Sequence, residues 1–146
     1  MYTLNENGLV AGVAIGIAKS ADALSNLKSC NALVYAIAAK QAKENKWNDA
    51  LICNTNGHII ESTIANIFWI KDNLIYTPPL SEGCVAGVMR RYIMERTTIN
   101  EKALSIDELL QADEVFLTNA IRKIRWVGNI GTIYYSNNVT KDLYDL

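Results

Sequence analysis

The spacing of apolar and polar positions changes several times along the chain, and each change marks an element. Leu9 to Ile17 alternates β-branched residues with Gly and Ala and reads as a buried strand. Ala18 to Cys30 is rich in Ser, Asn and Ala and reads as a loop. From Asn31 to Lys46 the period becomes helical: Leu33, Val34, Ile37, Ala38 and Ala42 share one face, with Ser29 or Asn31 placed to cap it. Ala50–Cys53, Ile59–Glu61, Ala65–Lys71 and Leu74–Tyr76 are short strand runs. The first two are joined through Asn54-Thr55-Asn56-Gly57, whose Asn-Gly step suits a hairpin, and Pro78-Pro79 ends the last. These predict a run of antiparallel strands. Gly87 to Arg96 reads as a helix, Ile99 to Leu104 as a strand, and Ser105-Ile106-Asp107-Glu108 as a capping box opening a short helix through Gln111. Glu114–Thr118, Ile124–Val127 and Ile130–Tyr135 are further strands, and Thr140 to Leu146 opens a last helix. Met1 to Asn7 is polar and reads as a frayed start. The sum is an α+β domain with an antiparallel-rich sheet.

Composition narrows the function classes. The chain has 146 residues, is 50% hydrophobic and carries a net charge of -1. That is single-domain size with no electrostatic case for nucleic acid or an anionic membrane. The longest strongly apolar stretch, Gly8 to Ala18, falls well short of the roughly 20 residues that cross a bilayer, and no basic segment precedes it. Cys30, Cys53 and Cys84 are odd in number and widely spaced, and there is one histidine. No metal site is expected, and reduced thiols point to a cytoplasmic protein.

Three places carry candidate chemistry. Glu61 interrupts an apolar run, where a core strand would take Ile or Val, and a carboxylate there needs a cation or hydrogen bonds. It is either an exposed turn residue or a partner for a protonated ring nitrogen. Lys28, in Ser25-Asn26-Leu27-Lys28-Ser29-Cys30-Asn31, stands just before a helix. It is either a solvated loop charge or an amine able to bond a carbonyl. Gly83 to Arg91 is a glycine-flanked loop opening a helix, where free N–H groups favour phosphate. Arg90 and Arg91 read as facing solvent or neighbouring carboxylates. His58 reads as a solvated turn residue, and Trp47, Trp69 and Trp126 as packing residues.

Taken in order, these segments resemble the class IV aminotransferases, fold type IV of the pyridoxal-phosphate enzymes. Ser25–Asn31 is similar to the family's lysine segment, Ala50 to Phe68 to its long signature with Glu61 at the acidic position. Tyr76-Thr77-Pro78-Pro79-Leu80 and Gly87-Val88-Met89-Arg90 are similar to its phosphate loop. Asp113 to Ala120 is similar to the strand and turn that close the site. The resemblance implies the fold of the large domain of D-amino-acid aminotransferase-like enzymes, a pseudo-barrel with helices, and pyridoxal 5'-phosphate as cofactor. It implies Lys28 as the lysine that carries the cofactor and shuttles a proton, and Glu61 at the ring nitrogen. Val88 and Met89 would bind phosphate through their N–H groups, and Asn119 and Ala120 would close the phosphate or carboxylate side. Ala120 stands where the aminotransferases commonly have a threonine. The Asn-Ala pair and the Gly-Val-Met-Arg run are most similar to aminodeoxychorismate lyases, which make the folate precursor 4-aminobenzoate. Branched-chain or D-amino-acid aminotransferase is the alternative.

The resemblance covers only the family's larger, second domain, so residues 1–146 are expected to form that one domain, with the smaller first domain absent. That domain normally supplies an arginine to the phosphate and residues that select substrate. A truncated, non-catalytic domain is therefore a further alternative. The expected partners are a small-molecule amino acid or aminodeoxychorismate and a second copy of the chain in a homodimer. An exposed apolar patch is expected where a neighbouring domain would pack.

Overall fold

The computed structural model describes residues 3–145. Nine strands and four α-helices follow in the order β1 (Leu9–Val13), α1 (Leu33–Glu44), β2 (Asp49–Cys53), β3 (Ile59–Ser62), β4 (Asn66–Lys71), β5 (Leu74–Thr77), α2 (Val88–Met94), β6 (Asn100–Glu101), α3 (Ile106–Gln111), β7 (Glu114–Asn119), β8 (Lys123–Ile130), β9 (Ile133–Tyr134) and α4 (Asn138–Tyr144) among the described residues. The sheet runs β3-β2-β1-β8-β7-β4-β5-β6, and a further β3–β4 pairing closes its first six strands into a barrel. Pairing is antiparallel except for β1 with β2, β1 with β8, and β5 with β6.

Register decides which side chains fill the barrel. Residues directly opposite one another share a face. Leu51, Ile67, Leu117 and Val127 point inward with Ala11, Ile59, Trp69 and Val115 and form the barrel core. The alternate positions point outward. Ala50 and Ile52 meet Ala38 and Ala42 of α1, while Phe68, Ile70, Phe116 and Ile124 meet α2 and α4. Phe68 and Phe116 stack at 4.9 Å between ring centroids.

Several elements differ from the sequence-based expectation. β1 stops at Val13, because Gln41 of α1 takes over the main chain of Ile15 at both its N–H and its C=O, and Gly16 turns with φ +71°. The buried face of α1 is Val34, Ala38 and Ala42, with Leu33 outside it at 69% exposure. Neither Ser29 nor Asn31 caps the helix: Ala32 holds the cap position, and the Ser29 hydroxyl accepts from the Asn31 N–H. The predicted strand Ile99–Leu104 pairs as a strand only at Asn100–Glu101. β8 runs on to Ile130, and Gly131, at φ +56°, turns it into β9. The Ser105 capping box is present as read. Asn5 is fastened rather than frayed, accepting the Trp126 indole N–H at its main-chain oxygen and the Trp126 main-chain N–H at its side chain. Met1, Tyr2 and Leu146, parts of the two predicted ends, lie outside the described residues.

Candidate active site

Glu61 lies on the outward face of β3, opposite Ile52 of β2 and Asn66 of β4. Its residue is only 2% exposed. Oε1 accepts from the Lys19 ammonium at 2.6 Å and from the Tyr35 hydroxyl at 2.6 Å. Oε2 accepts from the Val85 main-chain N–H at 2.8 Å. Burial comes first, and the hydrogen bond to Glu61 second, in holding the Tyr35 phenol far above its ordinary pKa, so it remains a donor. A buried carboxylate with one cation and two neutral donors has its charge balanced and its position fixed.

Each donor reaches Glu61 for a reason that can be traced to backbone structure. Lys19 continues the line of β1: its N–H donates to Cys53 C=O and its C=O accepts from Thr55 N–H. Its ammonium also donates to the Ser25 carbonyl and lies 5.2 Å from the Tyr35 ring centroid. Tyr35 sits in the first turn of α1, which packs on β2. Val85 belongs to the loop between β5 and α2. Asn26 fastens that loop, its side-chain amide donating to the Leu80 and Cys84 carbonyls and its main-chain carbonyl accepting from the Ala86 N–H. Asn66 donates to the Val85 carbonyl. Two glycines allow this loop to close. Gly83 has φ +95°, and a Cβ there would stand 2.3 Å from the Ser20 carbonyl oxygen. A Cβ on Gly87 would stand 2.1 Å from the Asn66 Oδ1.

The predicted site residues divide into two groups. Lys28 follows Asn26 by two positions, so the Asn26 clamp holds its segment against the Val85 loop. Its side chain is exposed and has no ion pair or hydrogen bond among the described residues. Val88 and Met89 form the first turn of α2, where N–H groups lack intrahelical acceptors; the Val88 side chain is 65% exposed. Ala120 is exposed in the β7–β8 turn. The side chain of Asn119 bridges two turns, donating to the Ile64 carbonyl between β3 and β4 and accepting from the Ile121 and Arg122 N–H groups. Both arginines fit the reading: Arg91 is exposed to solvent, and Arg90, which is buried, faces a carboxylate, donating to Glu101 Oε1 at 2.6 Å as well as to the Pro78 carbonyl. His58 is half-buried, its Nδ1 2.7 Å from Glu82 Oε2, which also accepts from the Asn54 amide. Trp69 is buried, and the Trp47 ring fills the space over Gly12.

Sequence reasoning missed Lys19 and left Tyr35 without a role. A lysine at the end of an alternating strand gives no local sign of facing a carboxylate 42 positions away. Tyr35 stands outside the apolar face read for the helix, and nothing in the helical period names Glu61 as its partner. Thr118 was read only as part of a strand. It lies opposite Asn66 on the outward face, and its buried hydroxyl has no hydrogen-bond partner.

This arrangement, a buried glutamate held by the loop that opens α2 with a free lysine on the segment clamped to that loop, coincides with the match to a family profile. The profile for amino-transferase class IV matches residues 14–130. The chain belongs to the class IV aminotransferase family. Aminodeoxychorismate lyase of Vibrio harveyi is 31% identical over 128 residues, 82% of this chain and 47% of that protein. D-alanine aminotransferase of Bacillus licheniformis is 32% identical over 104 residues, 68% of this chain and 36% of that protein. The crystal structure of a branched-chain aminotransferase from Thermoproteus uzoniensis superposes with TM-score 0.91 at 23% identity. It covers 97% of this chain and 50% of its own, and shows the shared fold. The chain thus spans about half the length of the relatives it matches. Among the described residues no helix is long and apolar enough to cross a membrane, and no cluster of residues could hold a metal ion.

Proposed function

We propose that this chain is the cofactor-bearing part of a pyridoxal-phosphate-dependent lyase or aminotransferase. The observation that carries the reading is the hydrogen-bond state of Glu61. A carboxylate offers about four acceptor positions. Lys19, Tyr35 and Val85 fill three, two on Oε1 and one on Oε2. The remaining position on Oε2 suits one further N–H donor, as a protonated pyridine nitrogen provides. The unpartnered Thr118 hydroxyl, on the same face as Asn66 and Glu61, is a second polar group awaiting a partner. The residues present therefore fit the cofactor.

When bound, pyridoxal phosphate supplies an electron sink for the carbanion formed at a substrate α-carbon. Lys28 would hold it through the side-chain amine and would hold and move the proton at the substrate α-carbon. Glu61 keeps a proton on the ring nitrogen. The N–H groups of Val88 and Met89 receive the phosphate, and the main chain of Asn119 and Ala120 closes the phosphate or substrate-carboxylate side. Lys19 does not compete for the anchoring role. Its amine is committed to Glu61, the carboxylate that would receive the ring nitrogen. Lys19 instead supplies the cation that makes a buried Glu61 tolerable.

The similarity to aminodeoxychorismate lyase across 82% of the chain favours removal of pyruvate from aminodeoxychorismate as the activity. The D-alanine aminotransferase match supports transamination as the second reading. Leu24, Leu27 and Leu33 are 63–76% exposed on the segment that carries Lys28. They supply the apolar patch expected where a neighbouring domain or a second copy in a homodimer packs. The unpaired thiols Cys30, Cys53 and Cys84 suit a cytoplasmic setting. Adding pyridoxal phosphate to the purified chain tests the reading. A visible absorption band should appear, and Lys28→Ala should abolish it. A band that survives Lys28→Ala, or none in the unaltered chain, would contradict it.

A further inference from the structure

At the end of the barrel where β7 passes to β8, the interior opens into a cavity of about 140 Å³. Leu9, Asp49, Leu117, Asn119, Lys123 and Arg125 line it from the strands. Register places it inside the barrel, away from the cofactor face. Arg125 is paired with Leu117 and Lys123 with Asn119, all inward positions, whereas Glu61, Asn66 and Thr118 occupy the alternate, outward ones. Arg122 reaches the same cavity from the turn.

The charges here are unbalanced. Arg122, Lys123 and Arg125 form no ion pair among the described residues, and the Arg125 Nε–H is buried without a hydrogen-bond partner. The one carboxylate in the lining, Asp49, uses Oδ1 to accept from the Ala50 N–H and from the N–H and hydroxyl of Thr63. That leaves a half-buried Arg125 and the exposed cations Arg122 and Lys123 around a polar hollow that holds one carboxylate. A guanidinium with a desolvated, unused N–H is costly unless a ligand completes it, and arginine's fork suits a planar or tetrahedral oxyanion.

We infer that the barrel mouth binds a compact dianion, of the phosphate or short dicarboxylate type, between Arg125, Lys123 and Arg122. The site lies on the inward side of the β7–β8 turn, meets the proposed cofactor pocket only at Asn119, and does not depend on Lys28 or Glu61.

Thermal unfolding of the whole chain with inorganic phosphate, and separately with succinate, tests the inference against potassium chloride of equal ionic strength. At saturating anion Tm should rise by ~3 °C or more over the chloride control. A rise with phosphate alone selects the tetrahedral ligand, and a rise with succinate alone the dicarboxylate. Calorimetric titration with the effective anion should show affinity weakened roughly tenfold by Arg125→Gln and by Lys123→Asn. The second variant keeps the left-handed backbone of residue 123 (φ +54°) on a residue that tolerates it. It therefore remains informative if Arg125→Gln does not fold. Glu61→Gln should leave this anion affinity unchanged, which separates the site from the cofactor reading. No shift beyond chloride would overturn the inference. So would a shift that survives both mouth substitutions, since the anion would then sit elsewhere, such as the start of α2.

Discussion

At the scale of single residues, the account rests on how a buried carboxylate is made tolerable. Glu61 was legible in the sequence as an anomaly: one acid inside an apolar run. Its partners were not, because Lys19, Tyr35 and Val85 come from three separate elements, and tertiary hydrogen bonds leave no periodic trace. Lys28 stands out in the sequence only through the motif around it; its amine has no partner among the described residues, and its anchoring role is our proposal. The roles of the two lysines predict opposite consequences. Lys19→Met strands a buried carboxylate and should destabilise the chain by about 3 kcal/mol or more, with Lys19→Arg restoring most of the loss. Lys28→Met removes an exposed side chain without partners and should shift stability by less than about 0.5 kcal/mol. Urea unfolding of the three variants measures both. A Lys28→Met variant as unstable as Lys19→Met would mean that the roles are assigned the wrong way round.

At the scale of elements, the strands and helices followed from the period of apolar positions, and the misreadings share one cause. Where an element ends is decided by a partner far away in sequence. Gln41 captures the main chain of Ile15 and stops β1, while Gly131 sets a turn inside what reads as one strand. The loop between β5 and α2 is the element on which the site depends, since it carries the Val85 N–H to Glu61. Gly83→Ala puts a methyl 2.3 Å from the Ser20 carbonyl at a φ of +95°. It should cost about 2 kcal/mol and weaken pyridoxal phosphate binding several-fold. Gly57→Ala supplies the control. It has a comparable φ of +79° but nothing within 4 Å of the new Cβ. It should lose stability through strain while leaving cofactor affinity alone. Calorimetric titration of both variants decides whether loop placement or general stability governs binding.

At the scale of the whole molecule, the α+β class and the antiparallel run from β2 to β5 were legible, because short strands joined by tight turns pair with their neighbours in sequence. Barrel closure followed from the family resemblance and not from the apolar period. It needs β1 to lie parallel to both β2 and β8, pairings that span long sequence separations and follow no local signal. Closure creates the two surfaces to which we assign chemistry: an outward face bearing Glu61, Asn66 and Thr118, and an inward mouth bearing Arg125. The central claim concerns the outward face, and covalent capture tests it most directly. The chain is loaded with pyridoxal phosphate and reduced with borohydride, and the modified residue is located by peptide mass spectrometry. The account predicts the label on Lys28, with Lys19 unmodified. Label on Lys19 in place of Lys28, or scattered over surface lysines, would contradict it.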